Sequence, residues 1–353
     1  MAPMGLKDTI YATLKRTGIT GAVARSRWRQ DRHLILCYHG ISTLDEHEWN
    51  GQLYMTSPKL RARLGYLRDR DYAILPLAEA IARLRAGTLP PRSVSLTFDD
   101  GATDFATHAL PILREFNAPA TVYVTTYYAE HRFPVFDTAL SYVLWQGRRS
   151  GADMAALVEH AGPLSVATEA DRQRVRALVR TYTDDLEMNG AEKQVFLGRV
   201  GALVRVDVAA FTASGRLAIM APDTVRALPR DLVDVELHTH RHRTPRDAAL
   251  FKREIEDNRA SLAAIMGDTS RRTHFCYPSG DYSSSFVAWL GELGVTSATT
   301  CVPRLADTAS AALLLPRFVD TMNVSDLSFE AWVSGVAQWL PRRTENTLDP
   351  ARA

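Results

Sequence analysis

Two hydrophobic periods alternate along the chain. Short apolar runs of strand length occur at 33–38, 72–75, 93–98, 120–125, 232–237, 273–277, 295–299 and 313–318. Between them lie stretches whose apolar residues recur every three to four positions, the spacing of one helical face. Ser57-Pro58 opens such a stretch, with Ser at the cap and Pro at the first helical position; Leu60, Leu64 and Leu67 form its stripe. Further helices are expected at 77–84, 104–116, 244–266 and 328–340. Strand and helix in strict alternation predict βα units and a mainly parallel sheet closed into a barrel. From about 128 to 222 the rhythm stops. That segment reads as a mostly polar helical insertion, with Val175, Leu178, Val179, Tyr182 and Leu186 on one stripe. The rhythm then resumes, so the expectation is one barrel over 33–340. It carries an amphipathic extension at 1–32 and a flexible polar tail at 341–353.

Composition narrows the class. With 46% apolar and 23% charged residues, the chain is an ordinary globular one. The net charge of +2 over 353 residues lacks the basic excess of a nucleic-acid binder. No run reaches the roughly 18 apolar residues of a membrane span. Residues 1–32 hold scattered Lys and Arg but no apolar core followed by a cleavage site, so a cytoplasmic protein is expected. Leu6, Ile10 and Leu14 share a helical face. Docking on the barrel is preferred for that face over peripheral membrane contact. Cys37, Cys276 and Cys301 form no CxxC and are expected to be reduced, packed thiols.

Three clusters fall at the C-terminal ends of predicted strands, where βα proteins build their sites. Asp99-Asp100-Gly101 places adjacent carboxylates at a bend, which suits one as metal ligand and the other as proton acceptor. His238-Thr239-His240-Arg241-His242 sets two imidazoles four residues apart, so that both can reach one ion. Phe275-Cys276-Tyr277-Pro278-Ser279-Gly280 supplies a loop whose backbone could wall a pocket. Tyr127, Tyr128, Phe133, Phe136 and Trp145 are candidates for stacking on a sugar or for packing.

Taken together, TFDDG at 97–101, HTxxH at 238–242 and FCYPSG at 275–280 resemble the motifs of the polysaccharide deacetylase family, the nodulation-deacetylase homology domain of carbohydrate esterase family four. CYHGIS at 37–42 and PATVYVTT at 119–126 agree with it, and the resemblance runs from about 34 to 340. It implies an α/β fold, a distorted (β/α)7-type barrel. It implies a divalent metal, zinc foremost with cobalt, nickel or manganese as substitutes, held by Asp100, His238 and His242. Asp99 becomes the general base, and the backbone N–H of Tyr277 or its neighbour the oxyanion donor. The reaction is hydrolysis of the N-acetyl amide of an amino sugar in a poly- or oligosaccharide or precursor, releasing acetate. Two departures stand out. The Arg that often braces the base near the third motif is missing, and Arg317 is expected to replace it. The late Leu-His pair that supplies a general acid is also missing, which leaves His240, another residue or water. His39 and His108 are read as structural. Competing readings are a deformylase or cyclic-amide hydrolase on the same barrel, and a non-catalytic glycan-binding relative.

Overall fold

The structure is a computed structural model and describes residues 6–160 and 162–340. The tail expected at 341–353 lies outside them. The described residues divide into two compact units, one of 6–127 with 221–340 and one of 128–220.

Among the described residues, ten strands belong to the first unit: β1 (Leu34–Tyr38), β2 (Gly40–Ser42), β3 (Tyr54–Thr56), β4 (Ala73–Ile74), β5 (Ser93–Phe98), β6 (Ala120–Val124), β7 (Val233–Leu237), β8 (His274–Cys276), β9 (Ser297–Thr299) and β10 (Phe318–Val319). The main sheet runs β10-β1-β5-β6-β7-β8-β9, entirely parallel, with β4 added on β5. A parallel bridge between Thr299 and Leu315 carries the run before β10 alongside β9, while β10 itself pairs with β1 through Leu36–Phe318. The sheet therefore curls through seven strands, the distorted barrel expected. β1, β5 and β6 are buried along their whole length, as strands covered on both faces must be, and they read as near-continuous apolar runs.

Local chemistry explains where the elements depart from the periodic reading. The helix expected at 104–116 begins as a π-helical stretch, Phe105–Ala109, and becomes α-helical only from Leu110. Pro111 lacks an N–H and restarts the ladder there. The helix expected at 328–340 is Asp326–Ser334, ended by Gly335 at φ 95° and followed by a 3-10 turn, Val336–Trp339. The run expected as strand at 313–318 begins as a 3-10 turn, Ala312–Leu314. The small parallel pair β2–β3 was not signalled by period, because three residues are too few to show one.

The N-terminal extension forms helices Leu6–Arg16, Ile19–Arg25 and Arg27–Gln30. It docks on the helix Asp326–Ser334: Lys15 Nζ donates to Glu330 Oε1 at 2.8 Å, and Ser325 Oγ to Asp8 Oδ1 at 2.7 Å. The docked face centres on buried Tyr11, whereas Leu6 is 79% exposed. No helix of the described residues is long and apolar enough to cross a membrane.

The second unit is helical, with Phe136–Gln146, Glu169–Asp185, Gly190–Val204 and Val208–Ala213. Capping boxes at Thr168/Asp171 and Asn189/Glu192 set two of the starts. Val175 and Val179 are buried as the stripe requires, but Leu186 is exposed, beyond the end of its helix.

Candidate active site

β5 ends at Phe98, and the next three residues turn sharply. Asp100 has φ 69° and Gly101 φ 79°. A Cβ on Gly101 would meet Val124 Cγ2 at 3.0 Å in a left-handed backbone, so position 101 favours glycine. The bend lets the adjacent carboxylates diverge toward separate partners.

Asp99 is 3% exposed and faces Arg317, the residue before β10. Arg317 Nη1 donates to Asp99 Oδ1 and Nη2 to Oδ2, each at 2.7 Å. The guanidinium is itself held, with Nε donating to the Thr300 carbonyl at 3.0 Å and Nη1 to Thr97 Oγ1 at 3.1 Å. Burial alone would push the Asp99 carboxyl up. The Arg317 charge and its hydrogen bonds outweigh burial and hold the carboxyl well below the usual carboxylate range. Arg317, expected to brace Asp99 in place of an Arg near the third motif, is in bidentate contact with it.

Asp100 faces the other way. Its Oδ1 lies 3.2 Å from His238 Nε2 and 3.1 Å from His242 Nε2. Burial pushes this carboxyl up, but the two histidines, His242 first, bring it well below its ordinary value. His238 Nδ1 lies 2.9 Å from the Cys276 carbonyl. A carbonyl only accepts, so Nδ1 carries a hydrogen there and Nε2 is the atom turned toward Asp100. Two imidazole nitrogens and a carboxylate oxygen, all within 4.8 Å of one another, fit a divalent cation of the borderline class. Thr239 and His242 sit at φ 61° and 51°, and with Asp100 they make three non-glycine residues in the left-handed region around one point. Such conformations persist only where the surroundings hold them.

The helix Ala248–Met266 provides that hold through Glu254 and Asn258, one turn apart and both buried. Glu254 Oε2 accepts from the Arg241 N–H at 2.8 Å, Glu254 Oε1 accepts from Arg243 Nε at 2.7 Å, and its carbonyl accepts the His240 N–H at 3.0 Å. Asn258 Oδ1 accepts the His238 N–H at 2.9 Å, while Nδ2 donates to the Val124 carbonyl and to Thr126 Oγ1.

Three sequence expectations change. The Tyr277 N–H donates to the Thr299 carbonyl at 3.2 Å, and its hydroxyl donates to the Leu313 carbonyl at 3.0 Å. That amide is committed to the sheet, and Pro278 next to it has no N–H, so Tyr277 reads as a structural residue. His240 is turned aside: its Nδ1 meets Thr126 Oγ1 at 2.8 Å and its ring stands edge-on to Tyr127. His39, read as structural, is at the site, its partly exposed ring placing Nε2 3.7 Å from Asp99 Oδ2. His39 lies within CYHGIS at 37–42, which agrees with the family resemblance, but no second chemical residue at a fixed spacing gave it a role; its place one residue beyond a buried strand was the local clue. Of the aromatic candidates, Phe136 is buried core.

The polysaccharide deacetylase family model matches residues 86–177 and 205–298, more than half the chain. Among curated proteins, poly-beta-1,6-N-acetyl-D-glucosamine N-deacetylase of Escherichia coli K12 is 32% identical over 101 residues, 28% of this chain and 14% of that protein. The putative polysaccharide deacetylase YxkH of Bacillus subtilis is 32% identical over 91 residues, 26% of this chain and 30% of that protein. The chain thus spans less than a third of either relative's own length. Solved structures with the same fold include the Streptococcus pyogenes deacetylase PplD in complex with acetate, with TM-score 0.55 and 18% identity, covering 84% of this chain and 96% of that one. IcaB from Ammonifex degensii gives TM-score 0.53 at 16% identity, covering 86% and 97%. With the family's motifs assembled at one end of a curled parallel sheet, the chain belongs to the polysaccharide deacetylase family.

Proposed function

We propose that this site hydrolyses the N-acetyl amide of an N-acetylated hexosamine within a glycan, with a poly-N-acetylglucosamine exopolysaccharide as the favoured substrate class. The supporting observation is the pairing of a buried, Arg-held carboxylate, Asp99, with a three-donor cluster one residue away. The curated E. coli relative acts, by its name, on such a polymer.

Asp100, His238 and His242 would hold a divalent ion, zinc first by the chemistry of two imidazoles and one carboxylate. Such an ion, when bound, polarises a carbonyl and acidifies water. The protein's own residues do the rest. Arg317 keeps Asp99 ionised and fixes both its oxygens, so that the carboxylate can take a proton from water as the water oxygen adds to the acetyl carbon. His39, across Asp99 and partly exposed, delivers a proton to the amide nitrogen as the C–N bond breaks. The products are acetate and a free amine on the sugar. His238, anchored through Nδ1 on the Cys276 carbonyl, would offer Nε2 to such an ion.

The test is acetate release from poly-β-1,6-N-acetylglucosamine and chitooligosaccharides, with formylated amino sugars and cyclic ureides as competing substrates. Release of acetate that stops with chelator and returns with zinc is expected. Turnover of only a formamide or ureide would overturn the reading. His39→Gln is expected to lower kcat about 100-fold, the scale of a lost general acid, with KM little changed.

A further inference from the structure

Beside the cluster of Asp100, His238 and His242 lies a second set of ligating atoms. The sulfur of Cys37, a ring nitrogen of His39 and a carboxylate oxygen of Asp99 all lie within 4.8 Å of one another. Cys37 and His39 flank Tyr38 at the end of β1, so strand alternation sends both side chains to the same face. The register of β1 on β5, Cys37 with Thr97 and Tyr38 with Phe98, brings that face to Asp99. Asp99 Oδ2 is the shared vertex, 3.5 Å from Cys37 Sγ and 3.7 Å from His39 Nε2. Two ligands bound at about 2.0–2.3 Å to one tetrahedral ion stand about 3.3–3.6 Å apart. Both separations are close to that spacing. A nitrogen 3.7 Å from a carboxylate oxygen is also beyond hydrogen-bond reach, so His39 faces Asp99 across a gap.

The donor set differs in kind from the first. A thiolate joins one imidazole and one carboxylate, and sulfur turns the preference toward soft ions. Thiolate and carboxylate together match the charge of a divalent cation. Arg317 Nη2 donates to Asp99 Oδ2 at 2.7 Å, and a carboxylate oxygen has a second lone pair for an ion. Asp99, His238 and Cys276 also lie within 4.8 Å of one another, but there the imidazole is committed. His238 Nδ1 holds the Cys276 carbonyl and its Nε2 faces Asp100. Cys37 is fully buried, whereas the His39 side chain is 17% exposed, so an ion enters past His39.

We infer that Cys37, His39 and Asp99 form a second cation site, for soft, thiophilic divalent ions, and that its occupancy is inhibitory. As the ion binds, the Cys37 S–H bond breaks, a sulfur–metal bond forms and the proton leaves to solvent. The ion then holds the Asp99 oxygen and the His39 nitrogen, and neither can move a proton. The inhibition rests on the deacetylase reading; the occupancy does not.

Titration of reduced, zinc-loaded protein with cadmium chloride tests this, read by the ultraviolet charge-transfer band of a cadmium–thiolate bond. The cluster of Asp100, His238 and His242 holds no sulfur, so cadmium exchanged into it gives no band. The wild type is expected to show the band with about one further cadmium per chain, and to lose acetate release as the band grows. Cys37→Ala is expected to lose the band, and Cys301→Ala to keep it. If Cys37→Ala does not fold, His39→Gln decides: losing a ligand is expected to weaken the cadmium affinity read by the band about 10-fold or more. No band at cadmium excess, a band of wild-type size in Cys37→Ala, or undiminished affinity in His39→Gln would overturn the site. Acetate release that continues at the wild-type rate with the band saturated would overturn the inhibition. The band is read without substrate: its presence in a protein that releases no acetate before cadmium is added sinks the deacetylase reading and leaves the site standing.

Discussion

Arg317 decides the state of Asp99. Two hydrogen bonds at 2.7 Å tie a guanidinium that is itself anchored on Thr97 and Thr300, so the carboxylate has one position and one charge. Breaking a buried pair of this kind costs about 3–5 kcal/mol, because the remaining charge is stranded. Arg317→Gln is therefore expected to lose stability on that scale. Its kcat profile is also expected to shift its acid limb to higher pH, since the largest influence opposing burial at the Asp99 carboxyl is then gone. An acid limb that stays where the wild type has it would show that Arg317 is only structural. The linkage sign agrees. A carboxyl depressed in the folded state adds stability above its unfolded value of about 3.9, and loses it as pH falls through the lower folded value. The stability gap between wild type and Arg317→Gln should therefore be widest near neutral pH and narrow in acid, where the raised carboxyl of the variant is protonated. The arginine was legible because the third motif lacked a cation and Arg317 ended the last apolar run. His39 was not, since no neighbour in sequence shares its task.

The helix Ala248–Met266 acts at the next scale. Glu254 and Asn258 lie on one face, a turn apart, and reach the backbone of the histidine loop and of the segment after β6. The helix grips His238, His240 and Arg241, which flank Thr239 and His242 in their left-handed conformations, and within the loop the Arg243 N–H donates to Thr239 Oγ1. Asn258→Ala leaves the His238 N–H and the Val124 carbonyl without their partner, at a cost of about 1–3 kcal/mol for each buried group stranded. It is expected to weaken metal binding about 10–100-fold without touching a ligand, measured by competition with a chromophoric chelator. Equal metal affinity in a destabilised Asn258→Ala would show that the loop holds its own shape. The helix itself was clear from Asp247 as cap and the apolar period. Its role was not, because a buried Glu or Asn in a helix pattern looks the same whether it bonds to water or to a distant loop. The breaks at Pro111 and Gly335 carried local signals that periodicity smoothed over.

For the whole molecule, the curled sheet gathers the ends of β1, β5, β7 and β8, together with the run before β10, which are distant in sequence, at one site. This was the most legible level, since alternation of period reports βα order without needing exact boundaries. The near-neutral charge fits a protein whose decisive charges are local. An ion that binds only the folded site adds about 2.7 kcal/mol at a hundredfold excess over Kd. Removing it with chelator should lower Tm by a few degrees for a chain of this size, reversibly with added zinc. A Tm indifferent to chelator and zinc would argue against the three-donor site.

The central claim is that Asp99 does the proton chemistry beside an ion it does not hold. Acetate release by Asp99→Asn, measured together with its metal content, tests this most directly. The account predicts one zinc per chain, as in the wild type, and acetate release reduced about 100-fold or more. Acetate release at the wild-type rate from zinc-loaded Asp99→Asn would contradict it.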